Sequence, residues 1–399
     1  MKFAASTIDI CSPFPTRQWE HITQTKELFA YHDPLHARIL YLEEGDTRIL
    51  HISADVLGMV QKIRDRLQAE ARQYFQDPAL HLITSATHTH YANSLENERY
   101  AEYFFQTLLS GIRHLDIREY QNVRTAYKTV FFDGVGKSRI SGYESGKEYL
   151  TLIRIFHEGG TLANLLIHNC HPTILEANVP YFSAEYPGYV LGELQKAHAG
   201  DFFTYLQGAS GDISTRFTRP GQDYESVRLL GDRLLKKVEE LLQENLPSVP
   251  FSLHYTEQLL HYEHTFAPID LGNIRQNLSE REKLTIHYGE IVRRQMEDSQ
   301  DVIHDALWSS LKIGDFRLIF CPNEIFSDYL NCLNLENSML VSYSNGYGPY
   351  ILPVDFPYLT YETFTDTLTR ETKENIKFYL TSGFGNCRLQ LWGEKAVPY

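Results

Sequence analysis

A chain of 399 residues with 51 acidic against 37 basic side chains carries a formal net charge of −14. That balance excludes a nucleic-acid surface and gives no electrostatic pull toward anionic membranes, while the length suffices for one large domain or two of ordinary size. The five cysteines (Cys11, Cys170, Cys321, Cys332, Cys387) are odd in number, widely spaced and form no CxxC pair, the usage of reduced cytosolic thiols and not of a disulfide framework. No apolar run reaches the ~18 residues of a membrane span. Residues 1–10 alternate like a strand and lack the apolar core of a signal peptide; a cytoplasmic protein is expected.

Residues 37–42 and 48–53 predict two strands joined by the polar turn Glu43-Glu44-Gly45-Asp46. Asp55 then stands as N-cap of a helix with an apolar stripe at Val56, Val60, Ile63 and Leu67. Residues 80–84 are apolar and β-branched, too short for a helix, and read as a buried strand that runs into Ser85-Ala86-Thr87-His88-Thr89-His90. In an extended segment, positions i and i+2 share a face, so His88 and His90 are expected to enter one cavity. A helix follows from about 96 to 113, with Tyr100, Phe104, Leu108 and Leu109 inside.

Residues 123–132 form the next strand, followed by a glycine-containing loop, 134–143, that lacks P-loop spacing. Residues 150–156 and 161–168 predict a hairpin around Glu158-Gly159-Gly160, and 202–207 a strand ending at 208–214. The clearest helix covers 223–246, with Val227, Leu230, Leu234, Val238 and Leu241 on one stripe and Pro247 closing it. Residues 275–300 read as a charged surface helix, 316–321 as a strand, and 342–362 as a loop rich in Tyr, Gly and Pro. With no internal repeat and no clean linker, the expected architecture is α/β: mixed β-sheets flanked by helices, in one domain spanning 1–399.

Metal-ligand chemistry recurs at strand ends. His171 sits just past a buried strand with Pro172 ending the sheet, and His168 competes with it for a ligand role. Glu324 follows an apolar strand and the turn Pro322-Asn323, where it is either a ligand or a helix cap. Tyr347 and Tyr350, in Gly346-Tyr347-Gly348-Pro349-Tyr350, could add a phenolate, although tyrosine in such a loop ordinarily packs.

Several segments, in order, resemble the neutral/alkaline non-lysosomal ceramidase family: Ala37-Arg38, residues 53–59, 85–90, Lys137-Ser138-Arg139, His171-Pro172-Thr173, 183–188, 207–214 with Gly211-Asp212-Ile213-Ser214, Pro322-Asn323-Glu324, and 346–362. The resemblance implies a ceramidase-like catalytic domain and a zinc (Zn²⁺) amidohydrolase site. Its ligands would be His88, His171, Glu324 and a late-loop tyrosine, Tyr350 by its distance from Tyr361-Glu362, with Tyr347 in reserve and water completing the shell. His90, Ser214, Arg139 and Tyr361 would contact the scissile group or the nucleophile: His90 as general acid toward the leaving amine, Arg139 or Tyr361 at the oxyanion. Asp212 is expected behind a ligand imidazole.

Two departures from the family pattern bear on substrate. Tyr91-Ala92-Asn93 stands where the family has Ser-Gly-Pro, so a bulky ring reshapes the pocket. About 37 residues follow Glu362, too few for the family's C-terminal β-sandwich domain, and a cytosolic protein has poor access to membrane ceramide. The expected substrate is therefore a small N-acyl compound, such as an N-acylated sugar or amino-acid derivative. Two alternatives stand beside it: a metal-dependent ester or phosphoester hydrolase, which in two-metal form would need Asp212 or Glu185 as a bridge, and a family member that binds without turnover.

Overall fold

His36–Glu44 and Thr47–Ala54 pair antiparallel, as the alternation of the sequence predicts. Gly45 takes the left-handed conformation (φ 57°) that their two-residue connection needs. These elements belong to a computed structural model that describes residues 1–18, 26–143, 146–267, 269, 280–298 and 303–382. The first sheet has the order His81–Ala86, Thr47–Ala54, His36–Glu44, Lys2–Asp9, Arg118–Glu119. Its first two strands are parallel, with the helix Gln61–Phe75 crossing between them.

A second sheet repeats the device. Its order is Phe202–Gln207, Gly160–His168, Tyr149–His157, Arg124–Phe131, Ser248–Pro250, with the first two strands again parallel and the helix Glu185–Ala197 between them in sequence. A third contains Leu253–His261, Asp305–Ile313, Phe316–Phe320 and Ser338–Val341, the last pair parallel.

Alternate side chains of the long strands in the first and second sheets enter different cores, as a period of two requires. Leu40, Leu42 and Ile83 of the first sheet share one core with Ile153, Leu165 and Ile167 of the second and Trp308, Leu311 and Leu318 of the third. The opposite face of the first sheet (Ile39, Tyr41, Leu82) packs on Leu67, Phe104 and Leu108 of its helices. Leu150, Leu152 and Leu166 of the second sheet pack in the same way on Val190, Leu230 and Leu234. Burial on both faces is why these strands read as nearly unbroken apolar runs.

The parallel pairs bring strand carboxyl ends together, and backbone bonds stitch them there. Ala86 N donates to Tyr343 O at 3.1 Å, Ser342 N to Gln207 O at 2.8 Å, and Ser344 N to Cys321 O at 2.8 Å. Ligand sites of α/β sheets form outside strand carboxyl ends, and here all three sheets present theirs to one place.

The structure corrects one expected cap. The first helix starts at Gln61 with Val60 at the N-cap position. Asp55 is fully buried, accepting from His36 N at 2.9 Å and from Arg38 Nη1 at 3.1 Å. A guanidinium as buried as that of Arg38 needs a counter-charge, and this demand outweighs helix capping. Arg38→Met should therefore lower the unfolding free energy by ~3–5 kcal/mol, the cost of stranding one member of a buried ion pair; a shift in urea midpoint at constant slope measures it.

Among the elements not anticipated from the sequence are Glu185–Ala197, Leu253–His261, Asp305–Ile313, Ser338–Val341 and Arg370–Ser382. Pro187 and Gly188 disguise the first of these, yet proline in a first helical turn breaks no hydrogen bond. The charged helix spans Glu280–Asp298; the remaining positions of 275–300, and Cys387, lie outside the described residues. The other four cysteines are free thiols. No described helix is long and apolar enough to cross a membrane.

Candidate metal centre

The strand His81–Ala86 ends before the two histidines, so the pleat does not aim them. Instead the chain folds over the neighbouring strand end: Thr87 N donates to Ala54 O at 2.9 Å and His88 N to Val56 O at 3.0 Å. His88 itself is left-handed (φ 65°), a conformation that costs of order 1–3 kcal/mol outside glycine and collects at functional sites. The His88 and His90 rings still come together, centroids 4.9 Å apart. His171, three residues past Gly160–His168, donates its N–H to Ile213 O at 3.0 Å and forms an isolated parallel bridge with Ser214. Glu324 opens the short strand Glu324–Ile325, paired in parallel with Tyr350–Ile351.

The donor atoms that result have an unusual arrangement. His88 Nδ1 lies 2.7 Å from Leu57 O, and His171 Nδ1 lies 2.7 Å from Ser210 O. A carbonyl only accepts, so both Nδ1 atoms carry a proton, and it is Nε2 of each ring that is left to offer a lone pair to a cation. Those two Nε2 atoms are 3.0 Å apart, and Glu324 Oε2 is 3.2 Å from that of His171 and 3.5 Å from that of His88. Three buried acceptors thus face one another.

Such a set calls for a cation. With bonds of ~2.0–2.1 Å to nitrogen and oxygen, a tetrahedral zinc site has ligand–ligand edges of ~3.3–3.4 Å, close to the spacing found. Burial, reinforced by Arg139, lowers the His171 pKa to about 4. Burial opposes ionisation of Glu324, and positive charge on the His88 and His171 side outweighs it, holding the carboxyl well below the usual range. His90 also lies within reach: donor atoms of His88, His90 and His171 fall within 4.8 Å of one another.

Both candidate tyrosines adjoin Glu324, by different contacts. Tyr347 donates to Glu324 Oε1 at 2.8 Å. Tyr350, opposite Glu324 in the strand pair, has its hydroxyl 2.9 Å from Arg139 Nη2. The Tyr361 ring meets Tyr350 edge-on with centroids 6.4 Å apart. Arg139 also donates to Gly211 O at 2.7 Å, and its Nε pairs with Glu362 Oε1 at 2.8 Å. Burial works against the charge on Arg139, but Glu362 and Tyr350 outweigh it and keep the guanidinium protonated. Ser214 Oγ accepts from Arg216 N at 3.3 Å, and Ser214, His90 and Arg139 line one side of a cavity of about 210 Å³.

Three other residues take structural places. His168 Nε2 sits 2.6 Å from Glu148 Oε1, in a buried network with Tyr186 and Tyr205, so it does not compete with His171. Asp212 touches no imidazole: it accepts from Ser327 N at 2.6 Å and from Ser327 Oγ at 2.8 Å, pinning the segment behind Glu324. The ligand-type imidazoles are oriented instead by the Leu57 and Ser210 carbonyls. Glu185 accepts from the backbone of Ile174 and Leu175.

Sequence reasoning missed Tyr343 and Glu362. Tyr343 stacks on His88 at 3.8 Å between ring centroids, and its hydroxyl lies 3.1 Å from Ser210 Oγ. Nothing at the sequence level marks its left-handed backbone (φ 52°). A carboxylate beside Tyr361 was the available signal for Glu362, because a buried arginine needs one.

No protein-family model matches the chain, and no curated protein matches it. Solved structures do. A neutral ceramidase from Pseudomonas aeruginosa superposes with a TM-score of 0.74 and 14% identity, over 95% of this chain and 73% of that one. A ceramidase complexed with C2 superposes with a TM-score of 0.72 and 15% identity, over 95% and 74%. At such identity the likeness is one of fold, and the fold of this chain is that of a neutral ceramidase.

Proposed function

We propose that this protein is a zinc-dependent amidohydrolase acting on a small N-acyl substrate, with His88, His171, Glu324 and Tyr350 as the residues that hold the metal. The observation that carries the reading is the convergence of two Nε2 lone pairs and one carboxylate oxygen, with both Nδ1 protons committed to backbone carbonyls. Two imidazoles and hard oxygen donors suit zinc. When bound, zinc would supply a Lewis acid and a water of pKa about 7 in place of ~15.7.

The chain's own residues then divide the remaining work. His90, against both ligand imidazoles, protonates the leaving amine at its nitrogen. Arg139, fixed by Glu362 and by the Gly211 carbonyl, presents its guanidinium to the developing oxyanion with Tyr361 at its side. Ser214, bridged to His171, orients the scissile group. Access to bilayer ceramide is not required of a cytoplasmic enzyme with a compact cavity, and the fold likeness to ceramidases supports amide chemistry without fixing the substrate.

Protein purified without chelator or affinity-tag metal should contain about one zinc per chain and release amine from an N-acyl probe. Chelation should abolish the release and zinc restore it. A second metal per chain would point to phosphoester chemistry instead, and a protein that takes up no zinc when supplied would sink the proposal. Tyr350→Phe should lower zinc content more than Tyr347→Phe; the reverse order would transfer the fourth place to Tyr347.

A further inference from the structure

His90 stands between two anchored neighbours. Thr89 Oγ1 donates to Ser183 O at 2.7 Å, and Tyr91 O accepts from Ser183 N at 3.0 Å. Thr89 Oγ1 also accepts from Tyr91 N at 3.3 Å, which closes the backbone around His90. The Tyr91 hydroxyl then reaches across to the other ligand segment and donates to Leu175 O at 2.5 Å, a partner 84 residues away in the chain.

Leu175 is held from its other side as well. The Glu185 carboxyl accepts from Ile174 N and from Leu175 N, the latter at 3.3 Å. Glu185 opens its helix in a left-handed conformation (φ 54°), which a residue other than glycine keeps only where its surroundings fix it. Its own N–H donates to Ser183 Oγ at 2.9 Å, and that hydroxyl donates to Asp33 Oδ1 at 2.6 Å. The bonds therefore form a closed circuit: Ser183 to Thr89 and Tyr91, Tyr91 to Leu175, Leu175 to Glu185, and Glu185 back to Ser183. All five residues are buried, where a polar group that loses its partner is costly, so the circuit favours one geometry. His90, part-exposed between these buried neighbours, lines the cavity.

We propose that Tyr91 is a positioning residue. Through its hydroxyl it braces segment 88–91 against segment 171–175, and so fixes the place from which His90 delivers a proton. This rests on the hydrolase reading above, with His90 as its general acid, and assigns that acid its support. The chemistry demands such a support, because a misplacement of ~1 Å costs ~10²-fold in rate.

Tyr91→Phe removes one oxygen and keeps the aromatic ring, so the variant should fold. Assayed on an N-acyl alkylamine, the zinc-loaded variant should lose ~10–100-fold in kcat with KM little changed, and keep about one zinc per chain. The loss should shrink on the corresponding 4-nitroanilide, whose amine leaves with little help from a proton. In a His90→Ala background Tyr91→Phe should cost nothing further, because a brace that acts only through His90 has nothing left to hold. An equal loss in both backgrounds, or no loss in either, overturns the inference and leaves the hydrolase reading intact. Loss of zinc in Tyr91→Phe overturns it too, since the hydroxyl would then serve the donor set and not His90. If the zinc-loaded parent cleaves no N-acyl probe, the hydrolase reading fails, and amide hydrogen exchange decides the brace separately. Exchange at Ile174 and Leu175 at least ~10-fold faster in Tyr91→Phe than in the parent supports the brace; unchanged protection overturns it.

Discussion

Glu324→Gln should yield a folded protein that has lost its zinc and its hydrolase activity together. The substitution is nearly isosteric and removes the single negative charge among the three converging donor atoms. It also supplies an amide N–H₂ group where Glu324 Oε2 now stands, 3.2 Å from His171 Nε2. A donor there satisfies a lone pair that otherwise requires a cation, so the metal-free variant should be at least as stable as the metal-free parent. Zinc affinity should fall by more than the 10–100-fold typical of losing an outer partner of a ligand, because a ligand itself is lost.

Thermal unfolding with and without zinc separates the two effects. The parent should gain ~2.7 kcal/mol at a zinc concentration ~100 times its Kd, and Glu324→Gln almost nothing. His171→Ala should also lose the metal, but it leaves a void beside Glu324 and a buried carboxylate with one fewer neighbour, so its metal-free form should unfold earlier. Full zinc occupancy in Glu324→Gln would remove that carboxylate from the shell.

Much of this site is legible in the sequence because its parts follow strands. An apolar, β-branched run that stops at a histidine, or at a proline turn and a glutamate, announces a polar residue at a strand's carboxyl end, and that is where His88, His171 and Glu324 lie. The reason they meet is not legible: it resides in bonds such as Ser342 N to Gln207 O and Ala86 N to Tyr343 O, which join segments far apart in the chain. The expected pleat at His88-Thr89-His90 is absent, and a left-handed residue does the aiming. Asp212 illustrates the limit from the other side. Its position suggested a partner for an imidazole, but the orienting groups are backbone carbonyls, which every residue carries and no sequence pattern marks. Asp55 reads as a cap until Arg38 is seen to be buried beside it.

His90 carries the remaining large effect, and its two possible roles separate cleanly. Its ring lies 4.9 Å from that of His88 and 5.9 Å from that of His171, centroid to centroid, and the three imidazoles alone could hold an ion. On the proposed reading the carboxylate takes the place that His90 would otherwise fill. Glu324 Oε2 is within 3.5 Å of Nε2 on both His88 and His171, a compact triangle with those two rings, and in the proposed site His90, which lines the cavity, would stand toward the substrate. His90→Ala should accordingly retain zinc and lose ~10²–10⁴-fold in kcat on an N-acyl alkylamine, the usual contribution of a positioned general acid. The defect should shrink on the corresponding 4-nitroanilide, whose far less basic amine leaves with little help from a proton. A role confined to packing would lower both substrates alike. Zinc loss in His90→Ala would make His90 a ligand, and the proton for the leaving amine would then have to come from another group at the cavity's edge.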